Sequence, residues 1–288
     1  MKINNLIKKG LKICFAKRPV YTTANILTLP PGDLLKGRKA LITGGTSGIG
    51  LAIAKSFLAS GAVVCITGRD EAKIKKVRED LENINSDYKN RVFASILDVK
   101  DVASFPQKVD EILQSLTEID ILVNNAGVRG GQIATVSETE YDDIMDTNLK
   151  GTFFLSKVIS SYMIKNNIEG NILNIASASG IRPANSAYTL SKWGVRGLTL
   201  GLAKTLIPYG IVVNGIAPGP TATPMLMDNG CKNITHNSNP LKRYALPEEI
   251  ANMAVILVSM MGKTIVGDIV YMTGGAGLIT LDDLNYKI

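Results

Sequence analysis

The sequence predicts an α/β fold: one doubly wound domain whose seven-stranded parallel sheet is flanked by helices on both faces. Three observations carry this. Short apolar runs, several rich in β-branched residues, recur from about residue 36 onward. Helix-length segments separate them. The runs lack clean apolar–polar alternation, as strands covered on both faces do. Alternation of strand and helix favours a parallel sheet, because a parallel neighbour is reached only through a crossover.

In chain order, "KALIT" (39–43) predicts the first strand, followed by a helix over 48–60. "VVCIT" (63–67) predicts the second strand, with a helix over 70–84. "VFASIL" (92–97) and "DILVNN" (120–125) supply the third and fourth, and a long helix is expected over 138–166. "NILNIA" (171–176) precedes a helix over 187–206, then "IVVNGIA" (211–217) and "DIVYMTG" (268–274) complete the set. The link from 217 to 247 is rich in Pro, Asn, Thr and Met. A loop of that length in a compact domain is usually functional or mobile. Residues 1–35 form a separate extension and linker, and 36–288 the folded domain.

Charge is unevenly placed. The 288 residues carry a net charge of +7, yet Lys2, Lys8, Lys9, Lys12, Lys17 and Arg18 lie in an acid-free stretch over 1–32. The remainder is nearly neutral, with 26 basic and 25 acidic side chains, which argues against nucleic-acid binding by the domain. In the extension Ile3, Leu6, Ile7, Leu11, Cys14 and Phe15 recur at helical spacing opposite the lysines. A helix on an anionic membrane surface through residues 1–18, a targeting presequence, or a helix docked on the domain would each show this pattern. Cys14, Cys65 and Cys231 stand far apart with no CxxC pair. They suit a reducing, cytoplasmic setting rather than a disulfide framework. The single histidine, His236, excludes a Ser-His triad or multi-histidine metal site as a working idea, and no metal site is expected. No apolar stretch reaches the ~20 residues that span a bilayer.

"KALITGGTSGIGLAIAKSF" reads as strand, glycine turn and helix. Gly44, Gly48 and Gly50 let backbone approach a ligand closely, and the helix start offers N–H groups to a phosphate. With Thr43, the Thr-Gly-x3-Gly-x-Gly pattern resembles the short-chain dehydrogenase/reductase family, a Rossmann-like group. Further motifs follow in that family's order over about residues 36–275: "NNAG" (124–127), Asn148 in "MDTNLKG", a serine in "NIASASG" (174–180), Tyr188 and Lys192 in "YTLSK", and "APGPTATPM" (217–225). The interval from Ser177 to Tyr188, eleven residues, is shorter than the family's usual one, which leaves Ser179 as a rival to Ser177. The extension has no counterpart in the family's minimal pattern.

The resemblance implies a nicotinamide cofactor held by Gly44, Thr46, Ser47, Gly48, Ile49 and Gly50 on the glycine turn. Arg69, Asp98, Val99, Asn125, Ala126, Gly127, Tyr188, Lys192, Pro218, Gly219, Thr221 and Thr223 complete the implied set. NAD binding usually places a carboxylate at the end of the second strand. Here Gly68 stands there with Arg69 beside it, and a guanidinium suits the extra phosphate of NADP, so NADP(H) is favoured with NAD(H) as the alternative.

Tyr188 and Lys192 fall at i and i+4, on one face of a helix. An ammonium about 4 Å from the phenol would be worth on the order of 4 kcal/mol at an effective dielectric near 20, enough to lower its pKa by about three units. By resemblance, Tyr188 is the acid in reduction and the base in oxidation, Lys192 lowers its pKa and holds the nicotinamide ribose, Ser177 hydrogen-bonds the substrate oxygen, and Asn148 orders a water leading from Lys192. The expected activity is hydride transfer between nicotinamide and a small-molecule carbonyl or secondary alcohol. A 3-oxoacyl thioester reductase and a non-catalytic NADP-binding regulator are the alternatives. The resemblance also implies a homotetramer, assembled through the long helices at about 138–166 and 187–206. Met225, Leu226 and Met227 suggest apolar substrate lining, while Arg129 and Arg182 read either as solvated arginines or as contacts for an acidic group.

Overall fold

The computed structural model describes residues 32–227 and 233–276. Residues 1–31 of the N-terminal extension, with Cys14, and Cys231 lie outside these residues.

Seven parallel strands form one sheet in the order β3-β2-β1-β4-β5-β6-β7. They are β1 (Lys39–Ile42), β2 (Val63–Gly68), β3 (Val92–Ile96), β4 (Ile121–Asn124), β5 (Asn171–Ile175), β6 (Val212–Pro218) and β7 (Ile269–Met272). The helices are α1 (Gly48–Ala59), α2 (Glu71–Glu82), α3 (Phe105–Leu116), α4 (Glu138–Met145), α5 (Gly151–Lys165), α6 (Ala187–Leu206) and α7 (Pro247–Val258). All seven expected strands are present within one or two residues of their predicted bounds.

Successive strand residues point to opposite faces, and two cores result. Ala40, Ile42, Val64, Ile66, Ile121, Val123, Leu173 and Ile175 pack beneath α1 and α7, against Phe57, Leu58, Ile250 and Val255. The residues between them, Leu41, Cys65, Leu122 and Ile172, pack on the other face against Phe105, Ile112, Leu155, Ile159 and Leu206 of α3, α5 and α6. Cys65 is the small buried hydrophobe its sequence context predicts, its thiol pushed up to about 12 by burial. Strands β1 to β6 each serve both cores, which is why they read as continuous apolar runs.

Two features go beyond the sequence reading. Helices α3 and α7 each carry a proline in the first turn, Pro106 and Pro247, where a missing N–H costs nothing. The expected helix over 138–166 is broken by a π-helical turn, Asp146–Lys150. There Asn148 turns inward: its Oδ1 accepts from the Val128 N–H (2.8 Å) and its Nδ2 donates to the Val128 carbonyl (2.9 Å) and Ser191 Oγ (3.0 Å). No helix among the described residues is long and apolar enough to cross a membrane.

At the restart of the helix, a Cβ on Gly151 would fall inside the contact radius of the Val99 carbonyl oxygen. Both atoms belong to backbone, so neither yields easily. Gly151→Ala is expected to destabilise the protein by about 2 kcal/mol, as overpacking does; urea unfolding that leaves the midpoint unchanged would show that α5 is free to slide away from β3.

Candidate active site

The C-terminal ends of a parallel sheet leave backbone groups unpaired, and ligands bind there, where the strand order reverses. In this sheet the reversal lies between β1 and β4. The two loops that follow these strands are tied together. Asn125 Nδ2 donates to the carbonyls of Thr43 and Gly44 (both 3.0 Å), while Thr43 Oγ1 accepts from the N–H groups of Asn125 (3.0 Å) and Ala126 (3.1 Å). Gly44 sits at φ +62° and Gly48 at φ +53°, where side chains are strained. A Cβ on Gly50 would collide with Asn125 Nδ2 and the Gly44 carbonyl oxygen.

These loops open into a cavity of about 540 Å³, within the range of small-molecule sites. Gly44, Thr46, Ser47, Gly48 and Ile49 line one wall, with Arg69, Asp98 and Val99 beyond them toward β3. Asn125, Ala126 and Gly127 line the floor. Ser177, Tyr188, Lys192, Pro218, Gly219, Thr221 and Thr223 line the other end. Two expected site residues do not touch the cavity. Gly50 is packed behind the turn against Asn125, and Asn148 is held behind the wall by Val128 and Ser191.

The walls fit a dinucleotide. The first N–H groups of a helix have no partner within it, and at α1 nothing in the sequence fills them: Ser47 makes no side-chain cap bond and the first turn holds no acidic residue. That end faces the cavity with the positive pole of the helix. Thr147, in the π-helical turn, presents a buried hydroxyl to the cavity with no hydrogen-bond partner among the described residues. Buried polar groups rarely stay unpaired. Sequence reasoning passed over Thr147; its place beside Asn148 was the available signal.

A chain of buried side chains sets the other end. Asn124 Nδ2 donates to Ser156 Oγ and to Asn174 Oδ1 (both 2.9 Å), Asn174 Nδ2 donates to Thr199 Oγ1 (2.9 Å), and the Thr199 hydroxyl donates to the Val195 carbonyl (2.8 Å). This links β4, β5, α5 and α6, so the helix bearing Tyr188 and Lys192 is fixed on the strand leading to Ser177. Helix α6 starts at Ser186, whose hydroxyl caps the Thr189 N–H (3.1 Å).

Tyr188 hydrogen-bonds to Ser177. Ser179 also lines the cavity, but its N–H donates to Ser177 Oγ (3.1 Å), so it supports the serine that meets the phenol. Lys192 Nζ donates to the Ile175 carbonyl (2.8 Å) and lies 5.9 Å from the centre of the Tyr188 ring. Burial pushes the Tyr188 phenol above its ordinary value, opposed by the Ser177 hydrogen bond and the charge of Arg129. Burial also lowers Lys192 from 10.5 to about 8. The expectation that Lys192 holds the phenol down is therefore corrected for the protein alone: desolvation outweighs it, and the groups that oppose desolvation are Ser177 and Arg129. Over the cavity mouth, His236 and Tyr244 meet edge to face at 4.5 Å. They come from the folded-back 233–245 segment, which no local motif announces.

The fold and cavity define an oxidoreductase of the nicotinamide-nucleotide type. The family description "short chain dehydrogenase" matches residues 38–233, and the chain belongs to the short-chain dehydrogenase/reductase family. It is 33% identical to a 3-oxoacyl-[acyl-carrier-protein] reductase of Aquifex aeolicus over 246 residues, covering 84% of this chain and 98% of that one. Among solved structures it resembles a 3-ketoacyl-(acyl-carrier-protein) reductase of Brucella melitensis complexed with NADH, with TM-score 0.76, 30% identity, and coverage of 84% and 99%. It also resembles the actinorhodin polyketide ketoreductase with NADPH, with TM-score 0.75, 29% identity, and coverage of 83% and 97%.

Because Lys192 is depressed by burial, its ammonium weakens the fold below about pH 8, and the cost disappears as pH rises toward 10.5, where the unfolded side chain also loses its proton. Lys192→Met removes that cost. The stability of the variant relative to wild type should fall by on the order of 3 kcal/mol between pH 7 and pH 10.5 in chemical denaturation; a pH-independent difference would mean that Lys192 is not desolvated.

Proposed function

We propose that this chain is an NADP-preferring reductase of a carbonyl substrate, running in reverse on the secondary alcohol, with Tyr188 as acid and base. The observation that carries the reading is that Tyr188, Ser177 and Lys192 line one end of a cavity whose other wall fits a dinucleotide. The cofactor, when bound, supplies the hydride. Tyr188 gives its phenolic proton to the carbonyl oxygen as the carbonyl carbon accepts that hydride, leaving a phenolate and a secondary alcohol. The Ser177 hydroxyl donates to the same oxygen and stabilises the charge that gathers there. Lys192, fixed by the Ile175 carbonyl, adds positive charge beside the phenolate and reaches the nicotinamide ribose. Asn148 acts indirectly, holding Val128 and Ser191 so that the floor and α6 keep their spacing.

NADP preference is supported by what stands at the end of β2. Gly68 and Arg69 line the cavity there, and no carboxylate of β2 repels a phosphate. The exposed apolar residues Phe153 on α5 and Leu190, Trp193 and Leu200 on α6 support assembly of copies, as a homotetramer, through these helices. The 3-oxoacyl reductases among the similar proteins make a 3-oxoacyl thioester the first substrate to try.

Tyr188→Phe keeps the ring and removes the proton. It should lower kcat by about 10²- to 10⁴-fold, the usual share of general acid catalysis, in an NADPH absorbance assay; activity within a few-fold of wild type would exclude Tyr188 as the acid. At Gly68 an added Cβ would lie 3.2 Å from Thr46 Cγ2, a contact that a small shift relieves. Gly68→Asp should move the ratio of kcat/KM toward NAD by about tenfold or more, the worth of one charged hydrogen bond; an unchanged ratio would count against Arg69 as the phosphate contact.

A further inference from the structure

The cavity carries its charge unevenly. Among the described residues its single carboxylate, Asp98, follows β3. That strand lies four places from β5 in the sheet, roughly 19 Å at about 4.8 Å per strand. At the end with Ser177 and Tyr188 the described part of the wall holds two guanidinium groups, Arg129 and Arg182, and no carboxylate. Arg129 continues the loop after β4, and Arg182 closes the turn Ala178–Ile181 that begins at Ser177. The two therefore rise from the loops that flank the reacting groups.

Neither arginine is neutralised among the described residues; the ion pairs of the protein fall elsewhere. Glu140, the acidic side chain nearest the Arg129 loop, is spent on the Gly131 N–H (2.8 Å) and does not line the cavity. Arg182 Nη2 donates to the Ala276 carbonyl (3.2 Å). The Arg182 backbone carbonyl accepts from Trp193 Nε1 (2.7 Å), which fixes its loop. The field of Arg129 reaches the phenol, since its charge opposes the effect of burial on Tyr188. A guanidinium pair without a carboxylate focuses positive potential in a cleft, and its planar forks match oxyanions in bidentate fashion.

Building on the reaction read above for Tyr188 and Ser177, we propose that the cavity selects carbonyl substrates bearing an oxyanion, a carboxylate or a phosphate, which Arg129 and Arg182 hold beyond the reacting carbon. The oxyanion enters at the open end, where both arginines are exposed, and the carbonyl reaches the phenol behind them. Apolar contact from Met225 and Leu226, on the same cavity, covers the stretch between the two ends of the substrate.

Two matched pairs of substrates test this: acetoacetate against its methyl ester, and acetoacetyl-4′-phosphopantetheine against acetoacetyl-pantetheine. Wild type with NADPH should prefer the anionic member of at least one pair by about tenfold or more in kcat/KM, and the pair that shows it identifies carboxylate or phosphate. Arg129→Gln and Arg182→Gln should shrink that preference through KM, with Arg129→Lys restoring part of it. Wild-type ratios near one in both pairs, or equal losses on charged and neutral members in the variants, would overturn the proposal. Turnover of the neutral members still supports the reductase reading, so the two failures are separable. Should no member be reduced, fluorescence of Trp193, the chain's single tryptophan, bonded to the Arg182 loop, reads binding directly. Quenching by the anions that the arginine variants lose would uphold anion selection, and quenching identical for acid and ester would end it.

Discussion

The cavity depends on one requirement: the carbonyls and N–H groups freed at the ends of β1 and β4 must be paired although the sheet ladder has stopped. Asn125 and Thr43 meet it between them. The Asn125 amide takes two carbonyls of the glycine turn, and the Thr43 hydroxyl takes two N–H groups of the opposing loop. A backbone this tightly held leaves no room for a Cβ at Gly50, and the turn at Gly44 and Gly48 takes positive φ. The glycine pattern is thus a consequence of the clamp as much as of a ligand. Loss of the Asn125 amide would leave several buried polar groups unpaired, each costing about 1–3 kcal/mol.

The second set of buried hydrogen bonds, from Ser156 through Asn124 and Asn174 to Thr199, acts differently. It pairs side chains that would each be costly alone in an apolar core. Apolar residues could fill the same space, but they would not register α6 along β5 as directional bonds do. That register decides whether Tyr188 meets Ser177. The reactive groups are consequently held in an environment that burial has made hostile to charge. Lys192 is pushed toward its neutral form and Tyr188 toward the phenol. Any positive charge near the phenol then gains in influence because water does not screen it, which gives Arg129, outside every motif, an effect on Tyr188.

What could be read from the sequence follows the range of the interactions. Strands such as Leu41–Ile42 or Leu122–Val123 feed both cores, and their unbroken apolar character shows it locally. Tyr188 and Lys192 share a helix, so their spacing announced a common face. Gly44, Gly48 and Gly50 lie within one turn. The π-helical turn at Asp146–Lys150 could not be read in this way, because the partner that Asn148 meets there, Val128, lies twenty residues away in sequence. The four-residue relay through Asn174, the facing of His236 and Tyr244, and the direction of the Tyr188 shift likewise arise from partners distant in sequence. The i, i+4 rule placed Lys192 beside Tyr188 but carried no information about the Ile175 carbonyl that claims its proton.

Strand order converts this arrangement into a division of labour along the cleft. The sheet reverses between β1 and β4, so loops on the two sides diverge and leave a groove over the Asn125 clamp. One arm, over β2 and β3, carries Gly68, Arg69 and Asp98; the other, over β5 and β6, carries Ser177, Arg182, Pro218 and Gly219. Each arm is built from loops that the core does not constrain, since both cores are filled by strand and helix residues beneath them. The side chains of one arm can therefore change without disturbing the packing of the other. In this chain Arg129 and Arg182, which form no ion pair among the described residues, stand at the end of the cleft that holds Ser177 and Tyr188.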